Sequence, residues 1–111
     1  MNVTVNYKIT HNRLPEIIGK FPGQASAAIR RTALKVEVDA KNFCPVDTGV
    51  LKGSIEADVG EFYATIAPNT DYAAYVEFGT YKMAAKPYML PAADINAPIF
   101  ETAMEEILGN L

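Results

Sequence analysis

The sequence predicts an α+β fold: a long amphipathic helix packed on a small antiparallel sheet, with a C-terminal helix on an edge or face of that sheet. Three patterns carry this expectation. Apolar residues recur at every second position in Val3, Val5, Tyr7 and Ile9, and again in Ile55, Ala57 and Val59, the period of a strand with one buried face. They recur at steps of three and four between Gln24 and Phe43 and between Ile99 and Leu111, which gathers them on one side of a helix. Gly60 and Glu61 separate two strand-like runs closely enough to join them as a hairpin.

Each element has its own warrant. The amino-terminal run supplies the first strand. Leu14 to Ile18 makes a short helical turn entered through Asn12, with Pro15 tolerated near its start and Gly19 at its cap. Phe21-Pro22-Gly23 punctuates the chain before the long helix, whose inner face is Ala25, Ala28, Ile29, Thr32, Ala33, Val36, Ala40 and Phe43. Its outer face is charged, with Arg30, Arg31, Lys35, Glu37, Asp39 and Lys41, and Glu37 stands four residues before Lys41, the favourable order for a surface pair. Pro45 ends this helix.

In "PVDTGVLKGSI", Pro45 to Ile55, Asp47 or Thr48 can accept from the open amides of a single turn. Gly49 relaxes the backbone there, Val50 and Leu51 point inward, and Gly53 closes the turn. The hairpin then runs from Ser54 to Ala67, with Tyr63, Thr65 and Ala67 alternating with Phe62, Ala64 and Ile66. Pro68 to Asp71 is a turn that opens a short helix from Tyr72 to Phe78, closed by Gly79, with Tyr72, Tyr75 and Phe78 facing the core. The last helix enters near Asn96 and Pro98 and sets Ile99, Phe100, Ala103, Met104, Ile107 and Leu108 opposite Glu101, Glu105 and Glu106. The expected core is Val5, Tyr7, Ile29, Val36, Phe43, Leu51, Ile55, Val59, Ile66 and Phe78.

Composition narrows the function classes. A chain of 111 residues fits one domain, residues 1–111, and its 50% apolar and 21% charged content argues against disorder. A net charge of −3 gives no basic footprint for nucleic acid or an anionic membrane. Cys44 is the one cysteine, which rules out an intrachain disulfide and a cysteine-built zinc site and points to a reducing compartment. The opening residues alternate in polarity and show no secretory signal, and no apolar run is long enough to span a bilayer, so a secreted or membrane protein is not expected.

Catalysis is poorly provided for. His11 is the sole histidine and lies in a loop without a partner nucleophile, which makes a hydrolase built on His11 and a carboxylate the weakest reading. Cys44, beside Phe43 at a helix end, reads as a small buried residue. Asp47, Asp58, Glu61, Asp71 and Glu77 each have a local role in a cap, an exposed strand face or a turn, and no metal-site spacing occurs. Arg30, Arg31 and Lys35 with Lys82 and Lys86 offer an alternative reading as a small nucleic-acid-binding module, since cations beside aromatics suit a single strand. The acidic balance weighs against it. The stretch from Gly79 to Pro91 is too broken by glycine and proline to bury Tyr81, Met83, Tyr88 and Met89 on a regular face, and tyrosine and methionine are what protein interfaces accumulate.

Three segments, "PVDTGVLKGSI", "YAAYVEFGT" and "KPYMLPA", give the chain a resemblance to a family, from about Ala25 to Leu108. It resembles the tailed-bacteriophage minor tail component family, described as head-tail joining, neck or tail-completion proteins. There a long helix leads to P-x-D-T-G-x-L-x-x-S-I, a hairpin, Y-A-x-Y-V-E-F-G-T, and an aromatic between two prolines before a final helix. Asp47, Thr48, Gly49, Leu51, Ser54 and Ile55 fill the first element, and Tyr72, Ala73, Tyr75, Glu77, Phe78, Gly79, Thr80, Pro87, Tyr88, Pro91 and Ala92 fill the others. Two positions depart from it, with Lys86 where arginine is frequent and Tyr88 where phenylalanine is frequent.

The resemblance implies a non-enzymatic virion part without cofactor or metal, made in the bacterial host cytoplasm. It implies a homo-oligomeric ring, six-fold in form, at the head-tail junction or tail end. Other connector or tail proteins would be partners, DNA would be passing cargo that slides through an acidic lumen, and no membrane would be involved. On this view the irregular loop reaches a neighbouring subunit, with Tyr81, Lys82, Met83, Lys86, Pro87, Tyr88 and Met89 at the oligomer interface. Glu77 would pair with Lys82 or Lys86, within one chain or across the boundary.

Overall fold

Two long helices lying antiparallel form the spine of the molecule in its computed structural model, which describes residues 14–45 and 49–109. The order is α1 (Leu14–Lys20), α2 (Pro22–Phe43), α3 (Gly49–Ser54), β1 (Glu56–Val59), β2 (Ala64–Ala67), α4 (Ala73–Phe78) and α5 (Met89–Gly109). The fold is α+β, as expected. The expected amino-terminal strand with Val5 and Tyr7, together with His11, Asp47 and Thr48, lies outside the described residues.

Pro22 opens α2 two residues earlier than periodicity suggests, because proline at the first helical position gives up an amide that has no partner there anyway. The break from α1 is confined to Phe21, whose N–H still donates to Ile17 O at 2.7 Å and whose own carbonyl accepts from Ala25 N–H at 2.9 Å. Gly19 therefore lies inside α1 instead of capping it. At the far end Cys44 is buried and donates its N–H to Ala40 O at 3.0 Å, closing the helix before Pro45.

Among the described residues the core has two clusters along α2. Toward its start, Ala25, Ala28 and Ile29 meet Ile17 of α1 and Phe100, Met104, Ile107 and Leu108 of α5. Toward its end, Ala33, Val36, Ala40 and Cys44 meet Leu51, Ile55, Ile66, α4 and the first turn of α5. Among the described residues the sheet has two strands, paired from Glu56 with Ala67 to Val59 with Ala64. Gly60 N–H donates to Tyr63 O at 2.8 Å across the hairpin turn, and the Tyr63 ring lies where a Cβ on Gly60 would stand. Ser54 ties the motif together: its hydroxyl donates to Leu51 O at 2.7 Å and accepts from Asn69 N–H at 3.0 Å, which fixes α3 to the turn after β2.

Five expectations about burial are corrected. Phe43 at the end of α2, Val50 on α3, Tyr72 at the N-cap of α4, and Tyr75 and Phe78 on α4 are all exposed. The face of α4 that enters the core is instead Ala73, Ala74, Val76 and Glu77, small residues that let its backbone approach closely. Ile29, Val36, Leu51, Ile55 and Ile66 are buried as expected, with Val59 half-buried. Finally, α5 begins at Met89, not near Asn96, and Pro98 sits inside it. Pro91 falls in the first turn, where its missing N–H costs the helix no hydrogen bond.

Among the described residues a polar contact joins the spine. Asn96, buried on α5, donates to Asp39 Oδ2 on α2 and to Ala92 O, both at 2.8 Å. Its Oδ1 is buried without a protein partner, but exchanging the amide's ends would face two acceptor oxygens with a third. Asp39 also accepts from Lys35 Nζ at 2.8 and 3.0 Å. The Lys35 hydrogen bonds, then that of Asn96, hold the Asp39 carboxyl below its usual range against the opposing effect of burial.

Candidate docking surface

The chain leaves α4 through Gly79, whose φ of 77° is one that side-chain-bearing residues rarely adopt. Space forbids a side chain there too: a Cβ would stand 2.7 Å from Ala85 N and 2.8 Å from Met83 O. The segment beyond is irregular but pinned at three places. Thr80 and Met83 exchange backbone hydrogen bonds, with Thr80 N–H to Met83 O at 2.8 Å and Met83 N–H to Thr80 O at 3.2 Å, and Thr80 Oγ1 accepts from Lys82 N–H at 3.2 Å. Lys86 N–H donates to Val76 O on α4 at 2.8 Å.

The third pin is Glu77. Its side chain is only 2% exposed, and Oε1 accepts from Met89 N–H at 2.8 Å and from Tyr88 N–H at 3.4 Å, while Oε2 accepts from Leu90 N–H at 3.4 Å. A carboxylate at these open amides satisfies donors that no helical carbonyl reaches and meets the positive end of the helix dipole. Glu77 is thus the N-terminal cap of α5, supplied from α4. The expected pairing of Glu77 with Lys82 or Lys86 is corrected, because the carboxylate is turned inward to these amides.

Tyr88 and Met89 also turn inward. Both are 0% exposed, and Tyr88 Oη donates to Ala73 O at 3.0 Å. They fill the core beneath α4 and do not present side chains to another molecule, which corrects their expected place in a contact surface. Tyr81, Lys82, Met83, Lys86 and Pro87 stay at the surface. Tyr81 occupies the tip, 93% exposed, with Lys82 Nζ 5.4 Å from its ring centre. Tyr72 at the N-cap of α4, with Tyr75 and Phe78 on it, adds exposed aromatic surface leading to this tip.

The geometry is that of an exposed aromatic protrusion tied down by backbone hydrogen bonds and by the Glu77 carboxylate. A family model described as "Bacteriophage HK97-gp10, putative tail-component" matches residues 12–79. The chain belongs to this phage tail-component family. The match runs from before α1 to Gly79 and so includes Leu51, Ser54, Tyr75, Glu77 and Gly79, while the tip and α5 follow it. No curated protein matches the chain, and no solved structure does.

The basic residues behave differently from one another. Lys35 is held by Asp39 and Lys41 by Glu37 at 3.2 Å, so the outer side of α2 keeps Arg30 and Arg31 as its cations without an ion-pair partner among the described residues. Among the described residues no group of three or more histidine, cysteine, aspartate and glutamate side chains is placed to hold a metal ion. No helix among them is long and apolar enough to cross a membrane. The capping role of Glu77 could not be read from local spacing, because cap and helix are separated by a loop; the "YVEFGT" motif was its one visible mark.

Proposed function

We propose that this tail component is a non-enzymatic structural part of the virion that forms or completes a ring at the head-tail junction or the tail end, with the pinned tip making contact with an adjoining subunit. The observation that supports it most is Tyr81. A side chain of that size, almost wholly exposed on a loop held by Gly79, the Thr80–Met83 bonds and Glu77, has its shape set before any partner arrives. Preorganisation of this kind lowers the ordering cost of association. Lys82, Met83, Lys86 and Pro87 surround it with the mixture of cation and apolar surface found in interfaces. Two different surfaces on one subunit give heterologous contacts, which close into a ring when the rotation allows.

Electron microscopy and native mass measurement of the purified protein, with and without isolated tails, test the reading. The expected result is a closed multimer, or incorporation at one end of the tail. A chain that stays monomeric and never joins tails overturns it. Salt-sensitive binding to DNA by Arg30, Arg31, Lys82 and Lys86 would favour the nucleic-acid-binding alternative instead.

A further inference from the structure

A second exposed surface lies on the two long helices. On α2, Ala27, Arg31, Leu34 and Val38 are all exposed and follow one another at steps of four, three and four, on the side away from buried Ala25, Ala33, Val36 and Ala40. On α5, Ile95, Ile99, Thr102 and Glu106 are all exposed and repeat the same steps. Lone exposed apolar residues are ordinary. Here two aliphatic pairs one helical turn apart, Leu34 and Val38 at 50% and 54% exposure and Ile95 and Ile99 at 45% and 54%, lie on separate helices with matching spacing.

Laid antiparallel, the stripes fall into register. Val38 stands opposite Ile95, Leu34 opposite Ile99, Arg31 opposite Thr102 and Ala27 opposite Glu106, the alternation of fours and threes that forms a coiled-coil seam. Charge agrees with the register. Arg30 and Arg31 have no ion-pair partner among the described residues, and α5 carries Asp94, Glu101, Glu105 and Glu106 with no basic residue. Antiparallel packing brings Arg31 within one turn of Glu105 and Glu106. A hollow of about 360 Å³, lined by Pro98, Ile99, Thr102, Ala103 and Glu106, lies on the same stripe. Leu34 and the stem of Arg31 are the side chains that would face it.

We infer that the outer stripe of α2 docks, antiparallel, on the outer stripe of α5 of a second copy of this chain. This rests on the ring reading above and names its lateral contact. Each α2 would then lie between its own α5 and that of its neighbour, giving a belt of alternating helices. The two stripes differ, so the contact is heterologous and leaves one of each kind free at the ends of any open assembly.

Two variants test this, Leu34→Asp on one stripe and Ile99→Asp on the other. Both positions are exposed, so far-UV circular dichroism should match the wild type, and thermal melting should match it at dilutions where the wild type is also a single copy. Each variant alone should be monomeric, with association weakened about thirtyfold or more. Mixed together they should form a dimer of twice the 12.1 kDa protomer and stop there, because the intact stripe of each finds the other and both remaining stripes are broken. Arg31→Glu should impair assembly, and adding Glu106→Arg in the same chain should recover it. Wild-type rings with both aspartate variants still assembling would overturn the seam and leave the ring reading standing. Variants that fail alone and also fail when mixed would overturn the heterologous contact. A wild-type chain that never exceeds one copy, either after chemical cross-linking at high concentration or on isolated tails, would remove the ring reading and the seam with it.

Discussion

Glu77 on α4 closes the first turn of α5 by accepting the Met89 N–H at 2.8 Å, across a loop that exposes Tyr81 at its tip. One buried carboxylate therefore fixes the start of a long helix, the position of α4 and the two ends of the protruding loop. Because the cap comes from another element, its loss should be felt in tertiary structure as well as in helix content.

Replacing Glu77 tests that dependence. Glu77→Ala leaves the Met89 and Leu90 amides without their acceptor near a buried site and should cost about 2–3 kcal/mol of stability. Glu77→Gln keeps one acceptor oxygen but loses the charge and turns an NH2 group toward a donor, so it should be intermediate. Urea unfolding of the three proteins gives the order; an alanine variant as stable as the wild type would remove the capping role.

Gly79 has a separate requirement. Gly79→Ala must adopt a φ of 77° and place a methyl group 2.7 Å from Ala85 N, so it should destabilise by about 1–3 kcal/mol, with amide exchange rising first at Thr80 to Lys86. A neutral effect would show that the loop can relax around the methyl group.

Much of this fold was legible in the sequence, and the failures share a cause. Periodicity places α2, the hairpin and α4 because each is defined by its own neighbours in sequence. It cannot say which side of a short helix is inward, and at α4 it selects the aromatic side, Tyr72, Tyr75 and Phe78. The buried side is alanine-rich because Tyr88, from beyond the loop, fills the space beneath and bonds Ala73 O. The start of α5 was hidden for the same reason: Pro91 and Pro98 read as boundaries, while Glu77 supplies the cap from outside the helix. Loop composition therefore groups Tyr88 and Met89 with Tyr81 as contact residues, although one stretch of chain sends the first two inward and the last outward.

Tyr88 makes two contributions that substitution can separate. Tyr88→Phe keeps the ring but leaves Ala73 O without the 3.0 Å hydroxyl contact, and should cost about 0.5–1.5 kcal/mol. Tyr88→Ala also opens a cavity in the core and should cost about 3–5 kcal/mol. Calorimetry that found the phenylalanine variant as damaging as alanine would place the stabilisation in the hydroxyl and not in packing.

Stability at acid pH should depend on Asp39. Its folded-state carboxyl is held below the ordinary value of 3.8 first by the Lys35 hydrogen bonds and then by Asn96, so the folded state favours the ionised form. A depressed carboxyl contributes stability that is fully present above its unfolded value and is lost as pH falls through the folded one. Wild-type stability should therefore decline below about pH 4, partly through this group, and the decline should be shallower in Asp39→Asn, with other carboxylates common to both proteins. Lys35 is half exposed, so added salt should shrink the difference. Parallel pH profiles in the two proteins would show that the Lys35–Asp39–Asn96 contact contributes nothing to folding.

The tip should be separable from the fold. Tyr81→Ser removes an aromatic ring that is 93% exposed, and surface changes of this kind leave stability within about 0.5 kcal/mol. Its hydrogen-bonded frame belongs to the backbone of Thr80 and Met83 and persists without the ring. If the tip meets an adjoining subunit, this variant should melt like the wild type and yet assemble poorly or fail to complete tails, whereas Glu77→Ala should lose stability and assembly together. Comparing thermal midpoints with tail incorporation separates the two effects. A Tyr81→Ser protein that is fully stable and fully competent would move the contact away from the tip, and leave the outer stripes of α2 and α5 as the surfaces by which copies meet.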